Sequence, residues 1–318
     1  METVPCNLCR STNNTLVLEA RDYITQTIHK VVRCSDCSLV FVNPRPEIKE
    51  IGEYYPALYY GDEPFSYEKI DAENRFKTLS KYISPGCRVL DIGCGRGLVL
   101  EKCKQNGCET WGTELSQLSS QYAREKLKLR ILDKHLTDCA FSEDYFDIVT
   151  MYHSLEHQFD PLSVLREVHR ILKPEGKLVL EVPRFNCRTS SRFKANWFHL
   201  DVPRHLYQFE DETLEKLLLT SGYSIIQRKK YSIMYDAFGA MQSLLNVCCS
   251  RKNLLNDLNT KRITIKDVLK TGITRNVLDL ILSIYAQYLL FPLFLLIFWC
   301  RALSNNGGTL IYVSKKLK

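Results

Sequence analysis

The sequence predicts an α/β protein built on a doubly wound, mostly parallel sheet. A small cysteine-bearing unit precedes the sheet, and an apolar helical insertion precedes its last strand. Three observations predict this. Short β-branched runs alternate with helical segments from Cys87 onward; two Cys-x-x-Cys knuckles stand near the amino end; and residues 280–300 contain no charged side chain. The chain has 318 residues, 45% hydrophobic and 25% charged, which suits one large globular domain with attachments or two ordinary ones. A net charge of +7 is compatible with an anionic surface or anionic substrates, and too small to argue for nucleic acid by itself.

The amino-terminal stretch is polar, with no basic start leading into an apolar run, so secretion is not expected. The 13 cysteines are an odd number, which points to reduced thiols in a cytoplasmic compartment. Cys6-Asn-Leu-Cys9 and Cys34-Ser-Asp-Cys37 bracket strand-like runs at 15–19 and 27–33. This spacing suits a structural zinc held by Cys6, Cys9, Cys34 and Cys37 in a ribbon-like unit over 1–46. The plainer reading is four structural cysteines without a metal. The apolar run 39–42 and Asn43-Pro44-Arg45-Pro46 close the unit. Residues 47–86 read as a linker carrying Tyr54, Tyr55, Tyr59 and Tyr60. A leading helix follows over 67–83, with Ile70, Phe76, Leu79 and Ile83 on one face, ended by Pro85-Gly86.

Strands are expected at 88–92, 110–113, 129–132, 146–151, 177–182 and 224–228, with helices at 97–105, 117–126, 161–172 and 211–220. After the turn Asn305-Asn306-Gly307-Gly308 a further strand reads over 309–314. Ligands of such sheets bind at the carboxyl ends of the strands. There, Val89-Leu90-Asp91-Ile92-Gly93-Cys94-Gly95-Arg96-Gly97 is a strand, a glycine turn and a helix start. Its Gly-x-Gly-x-Gly spacing differs from the dinucleotide pattern Gly-x-Gly-x-x-Gly. Asp91 stands where a carboxylate reaches an ammonium group, and Glu114, at the end of the second strand, where one accepts from ribose hydroxyls.

On these residues, with Phe146-Asp147-Ile148-Val149-Thr150-Met151 and Arg170-Ile171-Leu172-Lys173-Pro174-Glu175-Gly176-Lys177, the segment 87–183 resembles class I S-adenosylmethionine-dependent methyltransferases. The resemblance implies seven strands, the last antiparallel, in a cofactor-binding core over 87–235 with a closing strand in 307–318 and an insertion over 236–306. It implies that Asp91, Gly93, Gly95 and Gly97 surround the methionine and ribose of S-adenosylmethionine and that Glu114 binds the ribose. Leu136 and Asp138 are then candidates to flank the adenine, although no Gly-Asp pair follows the third strand as it does in many relatives.

Methyl transfer aligns a nucleophile and often removes its proton. Two clusters offer the groups: His153-Ser154-Leu155-Glu156-His157, and Trp197, His199, Asp201, Pro203, Arg204 and His205. The first resembles the Glu-x-x-Glu-His segment of small-RNA 2′-O-methyltransferases and ubiquinone-pathway O-methyltransferases, with His153 in place of the first glutamate. The resemblance implies a divalent metal at the active site, with His205 as the later ligand. Two other readings stay open: His157 or His205 as general base, or a brace in which Glu156 pairs with Arg204. Arg204 itself either binds an anionic group or is held by Asp201.

As a helix, residues 280–300 span about 30 Å. Pro292 suits a kinked or re-entrant helix, and residues 237–249 supply a second apolar arm. Between them lie Arg251, Lys252, Lys261, Arg262, Lys266, Lys270 and Arg275, as at an anionic membrane surface. The alternatives are a buried helical cap or a homodimer interface. The expected protein is therefore a cytoplasmic methyltransferase, peripheral or monotopic at the membrane. Its expected small-molecule or lipid-linked acceptor carries a hydroxyl on a glycan or quinone-type ring. Alternatives are a soluble nucleotide-sugar methyltransferase, an RNA methyltransferase that grips phosphates with the cysteine unit and basic run, and a non-catalytic scaffold.

Overall fold

A computed structural model describes residues 1–55, 64, 66–270 and 273–317; Tyr59 and Tyr60 of the expected linker lie outside the described residues. The chain divides into two compact units. One comprises the described residues of 1–59, 183–213 and 229–310, and the other those of 60–182, 214–228 and 311–318.

The first unit opens with β1 (Asn14–Arg21), β2 (Ile28–Cys34) and β3 (Val40–Val42), paired antiparallel in that order. Val31, Val32, Val40, Phe41 and Val42 are buried, as β-branched and aromatic residues of a packed strand should be.

The second unit begins with helix α1 (Ser66–Leu79), shorter than the helix expected over 67–83. Leu79 is fully buried, whereas Ile70, expected on the same face, is 46% exposed. Strands and helices then alternate: β4 (Arg88–Ile92), α2 (Leu98–Gln105), β5 (Glu109–Thr113), α3 (Gln117–Glu125), β6 (Arg130–Leu132), β7 (Phe146–Tyr152), α4 (Pro161–Ile171) and β8 (Leu172–Pro183). Local chemistry sets the helix starts. The Ser116 hydroxyl accepts from the Ser119 amide, and the Asp160 carboxylate accepts from the Ser163 amide at 2.9 Å with Pro161 beside it.

Chain order continues with α5 (Arg188–Phe193) and β9 (Tyr207–Gln208) of the first unit, then α6 (Asp211–Thr220) and β10 (Tyr223–Lys229). Helices α7 (Ile233–Cys248), α8 (Leu254–Asn259), α9 (Ile265–Lys270), α10 (Ile273–Tyr285) and α11 (Phe291–Leu303) follow, and β11 (Thr309–Lys316) closes the chain. The seven-stranded sheet has the order β10-β11-β8-β7-β4-β5-β6, and β6–β5, β5–β4, β4–β7 and β7–β8 are parallel. Its central strands β4 and β7 are buried along most of their length, as strands of a sheet covered on both faces are. Val89, Leu100, Cys103, Ala123, Ile148 and Val179 form one continuous core.

Three features differ from the linear reading. Residues 1–46 do not stand alone. Phe41 pairs with Tyr207 and Val40 with Gln208, so β9, far along the chain, completes the amino-terminal sheet. Residues 237–249 are no second membrane arm. Helix α7 buries Ala237, Gly239, Ala240, Met241 and Leu245 inside its own unit, where small residues let neighbours approach. Residues 275–303 form one unbroken helical stretch, neither kinked back nor re-entrant. Pro292 falls just after a wide π turn, Ala286–Leu290, which accommodates its missing amide hydrogen.

Arg204 is the largest fully buried side chain of the first unit. Its guanidinium meets Asp22 at 2.7 Å, Asp201 at 2.8 Å and the Tyr54 carbonyl at 3.0 Å, and it lies 4.8 Å over the Tyr23 ring. Glu156, proposed as its partner on sequence, is not among these contacts. Replacing Arg204 with alanine leaves two carboxylates without their cation, and denaturant melts should show a loss of about 3–5 kcal/mol. A loss under about 1 kcal/mol would mean that the cluster contributes no stability.

Candidate active site and thiolate cluster

In the second unit, β4 ends in a tight turn. The Gly93 and Cys94 amides donate to the Thr113 carbonyl at 2.8 and 3.0 Å, and Gly93, Gly95 and Gly97 all adopt positive φ, at 70°, 54° and 75°. The three glycines answer different demands. A Cβ on Gly93 would stand 2.7 Å from the Ser154 hydroxyl, and one on Gly97 would stand 2.5 Å from Leu129; both are required by the chain's own packing. A Cβ on Gly95 would meet nothing within 4 Å. Gly95 therefore lines open space with bare backbone, a cradle that a side chain would fill.

Two carboxylates flank the cradle. Glu114 accepts from the Gly95 amide at 2.8 Å and the Ser116 amide at 2.7 Å, and burial raises its pKa. Asp91, also buried, accepts from the Thr150 hydroxyl at 2.7 Å, and desolvation pushes it up to about 7. Among the described residues no cation lies within ion-pair distance of Asp91, so a positively charged ligand group would supply what the protein omits. The donor set thus fits an amino-acid-bearing nucleoside: a carboxylate for the ammonium, bare backbone beside it, and a carboxylate for ribose hydroxyls. Leu136 is buried in the short turn Leu136–Asp138 after β6, and Asp138 is exposed.

Beyond β7, His153 has φ of 51°, and its amide donates to the Glu181 carbonyl at 2.7 Å. Its ring reaches Glu181 at 3.0 Å through Nε2 and Glu156 at 3.3 Å through Nδ1. Burial works against its charge, but the two carboxylates outweigh it and raise His153 to about 9. Glu181 is buried too, yet Arg75 and His153 hold it well below the usual carboxylate range. Arg75 bridges Glu181 at 3.2 Å and Asp71 at 2.9 Å and lies 4.9 Å over Tyr152. The two carboxylates thus favour the protonated ring, in which both nitrogens donate. His157 shares the short turn Leu155–His157 with Glu156 and is half-buried. Asp71, Arg75 and Glu181 lay in elements expected on sequence, and Thr150 in the segment 146–151, but none of the four was singled out as a site residue.

In the first unit, the His205 Nδ1 donates to the His199 carbonyl at 2.8 Å, which orients the ring. His199 stacks on Tyr235 with centroids 4.0 Å apart, a packing role that Gly239 permits, and Trp197 is buried in the core beside Phe185. The same unit gathers Cys6, Cys9, Cys34 and Cys37, whose sulfurs all lie within 4.8 Å of one another, with Cys6–Cys37 at 3.3 Å and Cys9–Cys34 at 3.5 Å. The two knuckles match. Arg10 and Ser38, each following a second cysteine, take φ of 63° and 66°, and their amides donate back to Cys6 and Cys34. Sulfurs bound to one tetrahedral metal at about 2.3 Å stand about 3.8 Å apart, so this cluster is compatible with zinc.

The seven-stranded order and the glycine cradle define a class I methyltransferase fold. The chain belongs to the methyltransferase domain family, whose match covers residues 67–228. A ubiquinone biosynthesis O-methyltransferase of Ruegeria pomeroyi is 41% identical over 96 residues, covering 29% of this chain and 39% of that protein. Its namesake from Ruegeria sp. is 30% identical over 157 residues, covering 46% and 64%. The chain thus spans less than two thirds of the length of these relatives. Among solved structures, the 4+2 cyclase SpnF matches with a TM-score of 0.54 at 18% identity, covering 86% of this chain and 97% of that one, and shares the fold.

The His153 network has a pH signature. Its folded pKa lies above the ordinary 6.5, so its stabilisation is complete below about 6.5 and is lost as pH rises through about 9. Ring-nitrogen NMR should show His153 protonated at neutral pH and titrating near 9, and His153→Gln should flatten the alkaline fall in melting temperature. A His153 that titrates below 7 would contradict this account.

Proposed function

We propose that the chain is an S-adenosylmethionine-dependent methyltransferase whose acceptor is a hydroxyl on a quinone-type ring, working at the cytoplasmic side of a membrane. The observation that carries the first part is the cradle at Gly95 between two buried carboxylates, one of which, Asp91, has no cation within ion-pair distance among the described residues. Bound there, the cofactor supplies an electrophilic methyl group on a sulfonium. Asp91 holds its ammonium, Glu114 accepts from the ribose hydroxyls, and the Gly95 backbone lies against it without a side chain between. Two supports favour an oxygen acceptor: the Glu156-His157 pair, and the likeness to relatives named for ubiquinone O-methylation. His157 receives the hydroxyl proton. With Glu156 on the same short turn, it is also a group able to hold a divalent metal, which would lower the pKa of the hydroxyl. A lipid-linked glycan is the second acceptor class.

Calorimetric titration tests the cofactor site. Because Asp91 titrates near 7, S-adenosylmethionine should bind more tightly as pH rises from about 6 to 8. Asp91→Asn should weaken binding by about tenfold or more and remove that pH dependence. Binding that is unchanged in Asp91→Asn would sink the assignment. Transfer of labelled methyl is then compared on prenylated catechols, lipid-linked glycans, nucleotide sugars and RNA. Transfer to the catechols that is lost in His157→Ala identifies the base, and transfer confined to the other substrates refutes the quinone-type reading.

We further propose that Cys6, Cys9, Cys34 and Cys37 hold a structural zinc. The purified protein should contain about one zinc per chain, and a chelator or Cys34→Ser should remove it and lower the melting temperature. A metal-free protein indifferent to chelator rules this out.

A further inference from the structure

The stretch Arg275–Leu303, 29 residues and about 44 Å long as a helix, has two opposite faces. One packs inward: Leu280 joins Leu254 and Val268, Ala286 joins Met241 and Leu255, and Phe298 joins Ala237 and Ala240. The polar residues Asp279 and Ser283 lie on this inner face as well, and Asp279 accepts from the Ser250 amide at 3.1 Å. The other face is an outward row that repeats every three or four residues, with Leu278, Ile281, Tyr288, Leu289, Leu296 and Trp299 among its members. Tyr288 is 74% exposed and Leu289 62%. No charged side chain interrupts the outward row between Val277 and Cys300. Arg275 stands one turn before Leu278 on the same side, and exposed Lys266 and Lys270 precede it on α9.

We infer that this outward row is a docking surface for an anionic lipid bilayer, on which the helix lies flat. Its inner face is packed on α7, α8 and α9 of its own unit along its length, so the helix is not free to be surrounded by lipid as a crossing helix must be. A continuous apolar row of this length is far larger than the scattered exposed residues of ordinary surfaces. Charge selects the occupant. The leading end offers Lys266 and Arg275, besides Lys270 paired with Asp267 at 3.5 Å, and no other exposed carboxylate, so a second copy placed against it brings no matching acidic face. Anionic headgroups answer the cations while the acyl boundary takes up the apolar side chains, with tyrosine and tryptophan at the level where such rings partition. This docking deepens the proposed reading, since a ring with a prenyl tail would be met at the bilayer, but flotation reads it without any turnover.

The full chain is mixed with phosphatidylcholine vesicles with and without phosphatidylglycerol and floated on a density gradient. Comparison variants are Leu289→Glu, Leu296→Glu and their double, each checked for an unchanged melting temperature and unchanged S-adenosylmethionine binding. The wild type should float with the anionic vesicles and less with the neutral ones, and each substitution should reduce the bound fraction about tenfold or more. Two results overturn the inference. One is a wild type that stays in solution as a monomer. The other is a wild type that dimerises in solution and becomes monomeric in the glutamate variants, which assigns the row to a second copy. Cofactor binding retained by a protein that fails to float would refute the docking surface and leave the methyltransferase reading standing.

Discussion

Burying a carboxylate requires something that repays its lost hydration, and the second unit meets this requirement in two opposite ways, on β8 and on β4. Glu181 receives Arg75 and His153 and stays ionised. Asp91, on β4, receives a hydroxyl and, from a cation, only the more distant charge of Arg75, and burial pushes it up to about 7. The first arrangement is self-sufficient and therefore structural: it ties α1 to the ends of β7 and β8 and fixes His153 in its left-handed conformation. The second is incomplete without a cation from outside, and that incompleteness marks where a ligand belongs.

The same reasoning separates residues that a motif treats alike. Gly93 and Gly97 are glycines because Ser154 and Leu129 occupy the space beside them, whereas Gly95 is a glycine because the space beside it is empty. Gly112, in mid-strand on β5, belongs to the first kind, since a Cβ there would press on Cys94 and Ile131 at 2.7 Å. In the first unit, Arg204 is held by Asp22 and Asp201, while the ring of the adjacent His205 is oriented by the His199 carbonyl.

Much of this was legible because it is local. Alternating apolar runs placed β4 and α6 at their observed bounds, and the paired knuckles announced the thiolate cluster from spacing alone. What escaped is non-local. Arg75 lies 106 positions from Glu181, on a helix whose periodicity gave it no distinction. The pairing of β3 with β9 depends on two residues, Tyr207 and Gln208, too few to show a strand pattern. The apolar tail was read correctly for composition and wrongly for arrangement. Hydropathy counts the residues of α7 and of α10–α11 alike, but Gly239 and Ala240 bury one helix, whereas the bulky outward residues of the other leave it uncovered.

The fold alone does not decide the reaction, since the cyclase SpnF shares it. The cradle is built largely from main chain and carboxylates that recognise a nucleoside and an amino-acid group, and nothing in it distinguishes one acceptor from another. What commits such a site to methylating an oxygen is a group able to take the hydroxyl proton at neutral pH. The two carboxylates around His153 favour its protonated ring, so the proton acceptor proposed for the second unit is His157, on the same short turn as Glu156.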